Sequence, residues 1–151
     1  MRGAFLEQVL ETLRETFEGG RPGEGTQYLD HASGILPTLR SVDAERASRS
    51  IGGRPTIAAH ARHMNFHLRA TVAWINGDRK QQDWPGSFEP QSVTADEWRV
   101  LQEDLQRSRL ELERVLRALD ADTFLREGAG IGPVAHLAYH LGAIRQLVHL
   151  V

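Results

Sequence analysis

The stretch from Thr94 to Leu119 most constrains what this chain can fold into. Trp98, Leu101, Leu105, Leu112, Val115 and Leu119 recur at spacings of three, four and seven. That period puts them on one stripe of an α-helix and would scatter them over both faces of a strand. Thr94-Ala-Asp-Glu97 ahead of the stripe has the form of a capping box. Glu103–Arg107, Arg109–Glu113 and Glu113–Arg117 are expected at i,i+4 on the wet side, each worth about 0.3–0.5 kcal/mol.

The same period recurs elsewhere. Phe5, Leu6, Val9, Leu10, Leu13 and Phe17 predict a helix over 3–17, stopped by Gly19-Gly-Arg-Pro-Gly23. A second helix is expected from about Gln27 to Arg40, carrying Leu29, Ala32, Ile35, Leu36 and Leu39 and bent at Pro37. Residues 41–50 read as a short helical turn. Thr56 fits the N-cap of a helix reaching about Asn76, with Gly77 as its stop. Residues 78–93, with Trp84-Pro-Gly86 and Pro90, read as a surface loop. Residues 120–130 read as a connection with one turn near 122–126. Pro133 is expected at the first position of a last helix. No segment alternates as a half-buried strand would. One all-α domain spanning 1–151, a helical bundle, is the expected fold.

Composition removes several function classes. With 151 residues the chain can bury roughly 68–70% of its unfolded surface. Net charge is −2, so no overall pull toward nucleic acid or a membrane surface is expected. No apolar run approaches the ~20 residues of a membrane span and no leader opens the chain, so a cytoplasmic protein is expected. There is no cysteine. Disulfides, thiolate metal sites and cysteine nucleophiles are therefore excluded, and any metal must take nitrogen or oxygen ligands. The Gly19–Gly25 run lacks the Lys-Ser/Thr of a phosphate loop and reads as a connection.

The chemistry-bearing residues are histidines. Five of the seven fall in two helical stretches: His60, His63 and His67 in one, His136 and His140 in the other. At about 100° per residue, each set lies on a flank beside its helix's apolar stripe. Ile57, Met64, Leu68, Val72 and Ile75 form the first stripe; Leu137, Leu141, Ile144 and Val148 form the second. A single histidine there is ordinarily a polar residue at the core boundary. Two clusters on two helices can instead meet in a crevice and hold a metal through neutral imidazoles. No Asp or Glu lies within either helix, which argues against HExxH protease chemistry and against glutamate-rich di-iron sites. A three-histidine site with an open position remains, and spacing alone leaves His60, His63 and His67 as alternatives for one ligand. His60, His67, Tyr139 and His31 are the nearby candidates for a general base.

Thr56-Ile-Ala-Ala-His-Ala-Arg-His63, with His136-Leu-Ala-Tyr-His-Leu-Gly-Ala-Ile-Arg-Gln146 far downstream, resembles the DinB-like (YfiT-related) four-helix-bundle proteins. That family has a Ser/Thr-led helix whose histidine follows seven residues later. Its final helix carries a His-x-x-x-His pair followed by Gly-Gln. Here Ala143 stands where the glutamine is common. The resemblance implies an up-up-down-down bundle with a broken first helix, and a divalent metal, zinc or nickel, on His63, His136 and His140. His60, His67 and Tyr139 would then be pocket residues around the ligands. It further implies a homodimer acting on a small-molecule substrate. The activity would be that of a metal-dependent enzyme, a transferase using a low-molecular-weight thiol or a hydrolase-like relative. A metal-binding bundle without turnover, acting as a stress-related interaction protein, is the alternative.

Overall fold

The computed structural model describes residues 2–151 and is helical, with only an isolated bridge between Gly20 and His31 among the described residues. In chain order the helices are α1 (Arg2–Glu18), α2 (Ile35–Arg40), α3 (Ala44–Ala47), α4 (Ile57–Ile75), α5 (Ala95–Ala118), α6 (Ala121–Arg126) and α7 (Ile131–Val148). Short 3₁₀ turns lie at Gly86–Phe88 and Gly128–Gly130. The four long helices touch in a cycle: α4 packs on α5 and α7, and α1 packs on α7 and α5. Phe17, Leu13, Met64, Leu68, Leu105, Leu112, Leu116 and Leu137 are fully buried where they meet.

The predicted starts of α4 and α5 hold atom for atom. Thr56 accepts the Ala59 N–H through its hydroxyl at 3.1 Å. Thr94 and Glu97 make both halves of the capping box. Gly77, at φ 95°, closes α4 as expected.

The expected helix over 27–40 is cut to its last turns, because the backbone N–H groups of its first part go elsewhere. The buried Glu15 carboxylate accepts from Gln27 at 2.7 Å, Tyr28 at 2.6 Å and Leu29 at 2.7 Å. Three charge-assisted bonds hold residues 27–29 against α1 in a non-helical path. Ala32, expected on the apolar stripe, is exposed at φ 55°. Gly34 faces Gly19 so closely that a Cβ on it would lie 2.4 Å from the Gly19 nitrogen. α1 itself is continuous, and the break in the first helical region lies between Glu18 and Ile35.

Two prolines stand at other helix positions than expected, Pro37 nearer its helix start and Pro133 further in. Pro37 is the third residue of α2 and Pro133 the third of α7. Both lie in a first turn, where N–H groups have no intrahelical acceptor, so neither bends its helix. The ion pairs on α5 also differ. Arg107 pairs with Asp104 and Arg117 reaches Glu7 on α1 at 2.6 Å. Arg109 does bond Glu113 at 2.7 Å, but it is buried and also bonds Glu18 at 2.6 Å. It ties α5 to α1 rather than decorating a wet face.

Candidate metal centre

α4 and α7 bring all five clustered histidines together at their shared contact. The rings of His63 and His136 lie 4.9 Å apart, those of His63 and His140 4.7 Å, and those of His136 and His140 4.5 Å. One nitrogen from each of these three falls within 4.8 Å of the others, a group that could hold a metal ion. His60 and His67 stand one step outside. His67 stacks on His136 at 3.7 Å and 10°, and His60 Nδ1 lies 2.9 Å from His140 Nδ1. His31 is elsewhere, in the exposed segment before α2, with its Nδ1 on the Gly20 carbonyl at 3.2 Å. Tyr139 meets His140 edge-on at 5.2 Å but is 75% exposed, so its ring edges the site from outside.

The 78–93 segment, read from sequence as a surface loop, supplies residues that sequence reasoning missed. The Gly86–Phe88 turn lays Phe88 flat on His63, 4.0 Å and 11° between rings. Ser87 is buried and lies 2.6 Å from His63 Nδ1 through its Oγ. The Ser87 hydroxyl in turn donates to the Trp84 carbonyl. Trp84 packs edge-on against His63 and Phe66 and tilts over His67. The turn is anchored beyond its end, where Gln91 takes the Thr56 N–H at 3.0 Å and accepts the Thr56 hydroxyl on its carbonyl. Two aromatic residues in an otherwise polar loop were the only sequence trace of this role.

A hydrogen bond sets the His63 tautomer. The Ser87 hydroxyl is committed to Trp84, so its oxygen accepts, and His63 carries its proton on Nδ1. That leaves Nε2 of His63 as a bare lone pair. The His60 Nδ1–His140 Nδ1 contact takes one proton between the two rings, and with that proton on His140 its Nε2 is bare as well. Nε2 of His136 is buried and has no hydrogen-bond partner, and neither has Nδ1 of His67. An orphaned, buried nitrogen between two imidazoles is costly unless something accepts its lone pair.

Charge agrees with a neutral donor set. Burial, with the neighbouring imidazoles adding repulsion, lowers the His136 and His67 pKa values to about 4 and that of His140 to about 3. Burial also lowers those of His60 and His63. All five are neutral near pH 7, the form that ligates. The residues present therefore fit a divalent cation of borderline softness bound by nitrogen. No family model, curated protein or solved structure matches the chain.

Proposed function

We propose that the protein binds one divalent metal, zinc or nickel, through Nε2 of His63, His136 and His140. The observation that carries this reading is the convergence of three neutral imidazoles with an orphaned nitrogen among them. Two further contacts support it. Ser87 and His60 bond the far nitrogens of His63 and His140, as partners that orient metal-bound imidazoles do.

The four long helices packing in a cycle support reading the fold as a four-helix bundle of the DinB-like (YfiT-related) kind, and the contact between the Thr56-led α4 and the His pair of α7 supports the same reading. On this reading the protein is a metal-dependent enzyme of the thiol S-transferase or hydrolase-like type, working on a small molecule in the cytoplasm as a homodimer. A bound cation lowers the pKa of a coordinated water or thiol and so yields a nucleophile near neutral pH. The chain's own residues orient and shield. Phe88 and Trp84 exclude water from the His63 side. His67, neutral and with a free buried Nδ1, is placed to take a proton. His136 and His67 are half-buried and form the more open side.

A second reading, a metal-binding bundle without turnover, draws support from the depth of two ligands: His63 is 6% and His140 5% exposed. The test is a thiol-transfer assay on zinc- and nickel-loaded protein with a panel of small thiols and electrophiles. Metal-dependent turnover supports the enzyme; a fully loaded protein inert across the panel supports the second reading.

A further inference from the structure

A trough runs along the crevice between α4 and α5, on a different face of α4 from the histidines. It comprises two adjoining hollows of about 420 Å³ and about 400 Å³ that share Asn65, Arg69 and Asp104 as walls. The 83–89 segment closes one end, with Ser87 as the wall between trough and His63. The trough is thus distinct from the metal centre.

Its polar groups are unequally committed. The acids that line it are all engaged: Asp104 by Arg107, Glu111 by Arg114 at 2.6 Å, Asp83 by the Gly86 N–H at 3.0 Å, and Glu89 by Gln91 at 3.2 Å. The donors are not. Arg69 makes no hydrogen bond or ion pair among the described residues. Arg62 donates through Nη2 to the Ser92 carbonyl at 3.4 Å and keeps a buried Nε without an acceptor. Asn65 is 8% exposed, and Ser108 donates to its Oδ1 at 2.7 Å. That bond turns the amide so that Nδ2 is left to donate. Arg62 and Arg69 stand three residues before and four after Asn65, on one helix face. The uncommitted Arg69 guanidinium and the Asn65 amide donor therefore stand where the two hollows join, with Arg62 lining the hollow at the 83–89 end. Guanidinium forks match the planar, two-oxygen geometry of a carboxylate. Val72 and Ala73 line the hollow beyond Arg69 and offer an apolar wall. A volume of this size lies in the range of small-molecule sites.

We propose that this trough binds a small organic carboxylate, its head held over Asn65 by the Arg69 guanidinium, with Arg62 as a second cation toward the 83–89 end, and its apolar body lying along Val72 and Ala73. The site does not depend on the metal, and its test can be run without one. Chelator-treated, ¹⁵N-labelled full-length protein would be titrated with hexanoate and benzoate, and in parallel with hexanamide and benzamide. The expected result is saturable shifts of backbone amides in α4 and α5 around Asn65, Arg69 and Ser108 with the carboxylates only. Arg69→Gln, a change at an exposed position, should weaken binding about tenfold or more, since a hydrogen bond to a charged group is lost. Three results overturn the proposal: no saturable shift with either carboxylate, equal binding of the amides, or unchanged affinity in Arg69→Gln. A protein that binds no metal but binds carboxylates here would refute the metal reading alone.

Discussion

Ser87→Ala removes one hydroxyl and should be felt at the metal. In the folded protein the Ser87 oxygen accepts the His63 Nδ1 proton at 2.6 Å in a site with little water, since Ser87 is 9% exposed and His63 6%. Without it, His63 has two poor choices. It can keep the proton on Nδ1 with no acceptor, or move it to Nε2 and lose the lone pair that faces the metal. A buried group left without its partner costs roughly 1–3 kcal/mol. That cost falls on the metal-competent tautomer, so the dissociation constant should rise about 5- to 150-fold. The range overlaps the 10–100-fold typical of residues that orient metal-bound histidines. The assay is competition for zinc against a chromophoric chelator, with far-ultraviolet circular dichroism confirming the helices of the variant. A dissociation constant within about twofold of the unaltered protein, with the fold intact, would refute the tautomer argument.

Other expectations follow from the same geometry. His60→Ala should weaken metal binding less than His140→Ala, because His60 acts through the His140 Nδ1; by the same competition assay, loss of metal in His67→Ala but not in His63→Ala would place the α4 ligand one helical turn further on. Glu15→Gln should destabilise the fold by about 2–4 kcal/mol in urea titration, as buried N–H groups of residues 27–29 lose a charged acceptor. The sign of the pH effect is fixed: despite opposing burial, the three backbone bonds leave the Glu15 pKa below its usual 4.5. Its contribution is therefore full above about pH 4.5 and fades as pH falls through the lowered value, and Glu15→Gln should lack that acid-side loss. Arg109→Ala should cost about 1–3 kcal/mol by the same method, since the buried guanidinium and its charge-assisted bonds to Glu18 and Glu113 are lost while both carboxylates keep access to water. Light scattering at micromolar concentration should give twice the 16.9 kDa chain mass, and a mass that stays at the chain value would leave the dimer without support.

What the sequence shows and what it hides divides along physical lines. α1, α4, α5 and α7 were legible because their apolar stripes and caps are local signals, as in the Thr94–Glu97 box. The helix expected over 27–40 failed because Glu15, a dozen residues upstream, takes the N–H groups that the helix would have used. No local pattern carries that information. The histidines were legible as two flanks, and the structure brings them to one point. The loop's share was hidden. Ser87 and Phe88 reach His63 only because Gln91 pins the segment to Thr56, a contact 35 residues apart in sequence. Arg109 misled for the same reason: an i,i+4 partner suggested a solvated pair, while its second partner, Glu18, lies on another helix.

The central claim is one metal on three named imidazoles. Its most direct test is equilibrium titration of chelator-stripped protein with zinc and with nickel, read by elemental analysis after desalting. The unaltered chain and the variants His63→Ala, His136→Ala and His140→Ala would be compared. The account predicts saturation at about one ion per chain for the unaltered protein and loss of tight binding in each variant. Unchanged stoichiometry in all three variants, or no metal retained by the unaltered chain, would contradict it.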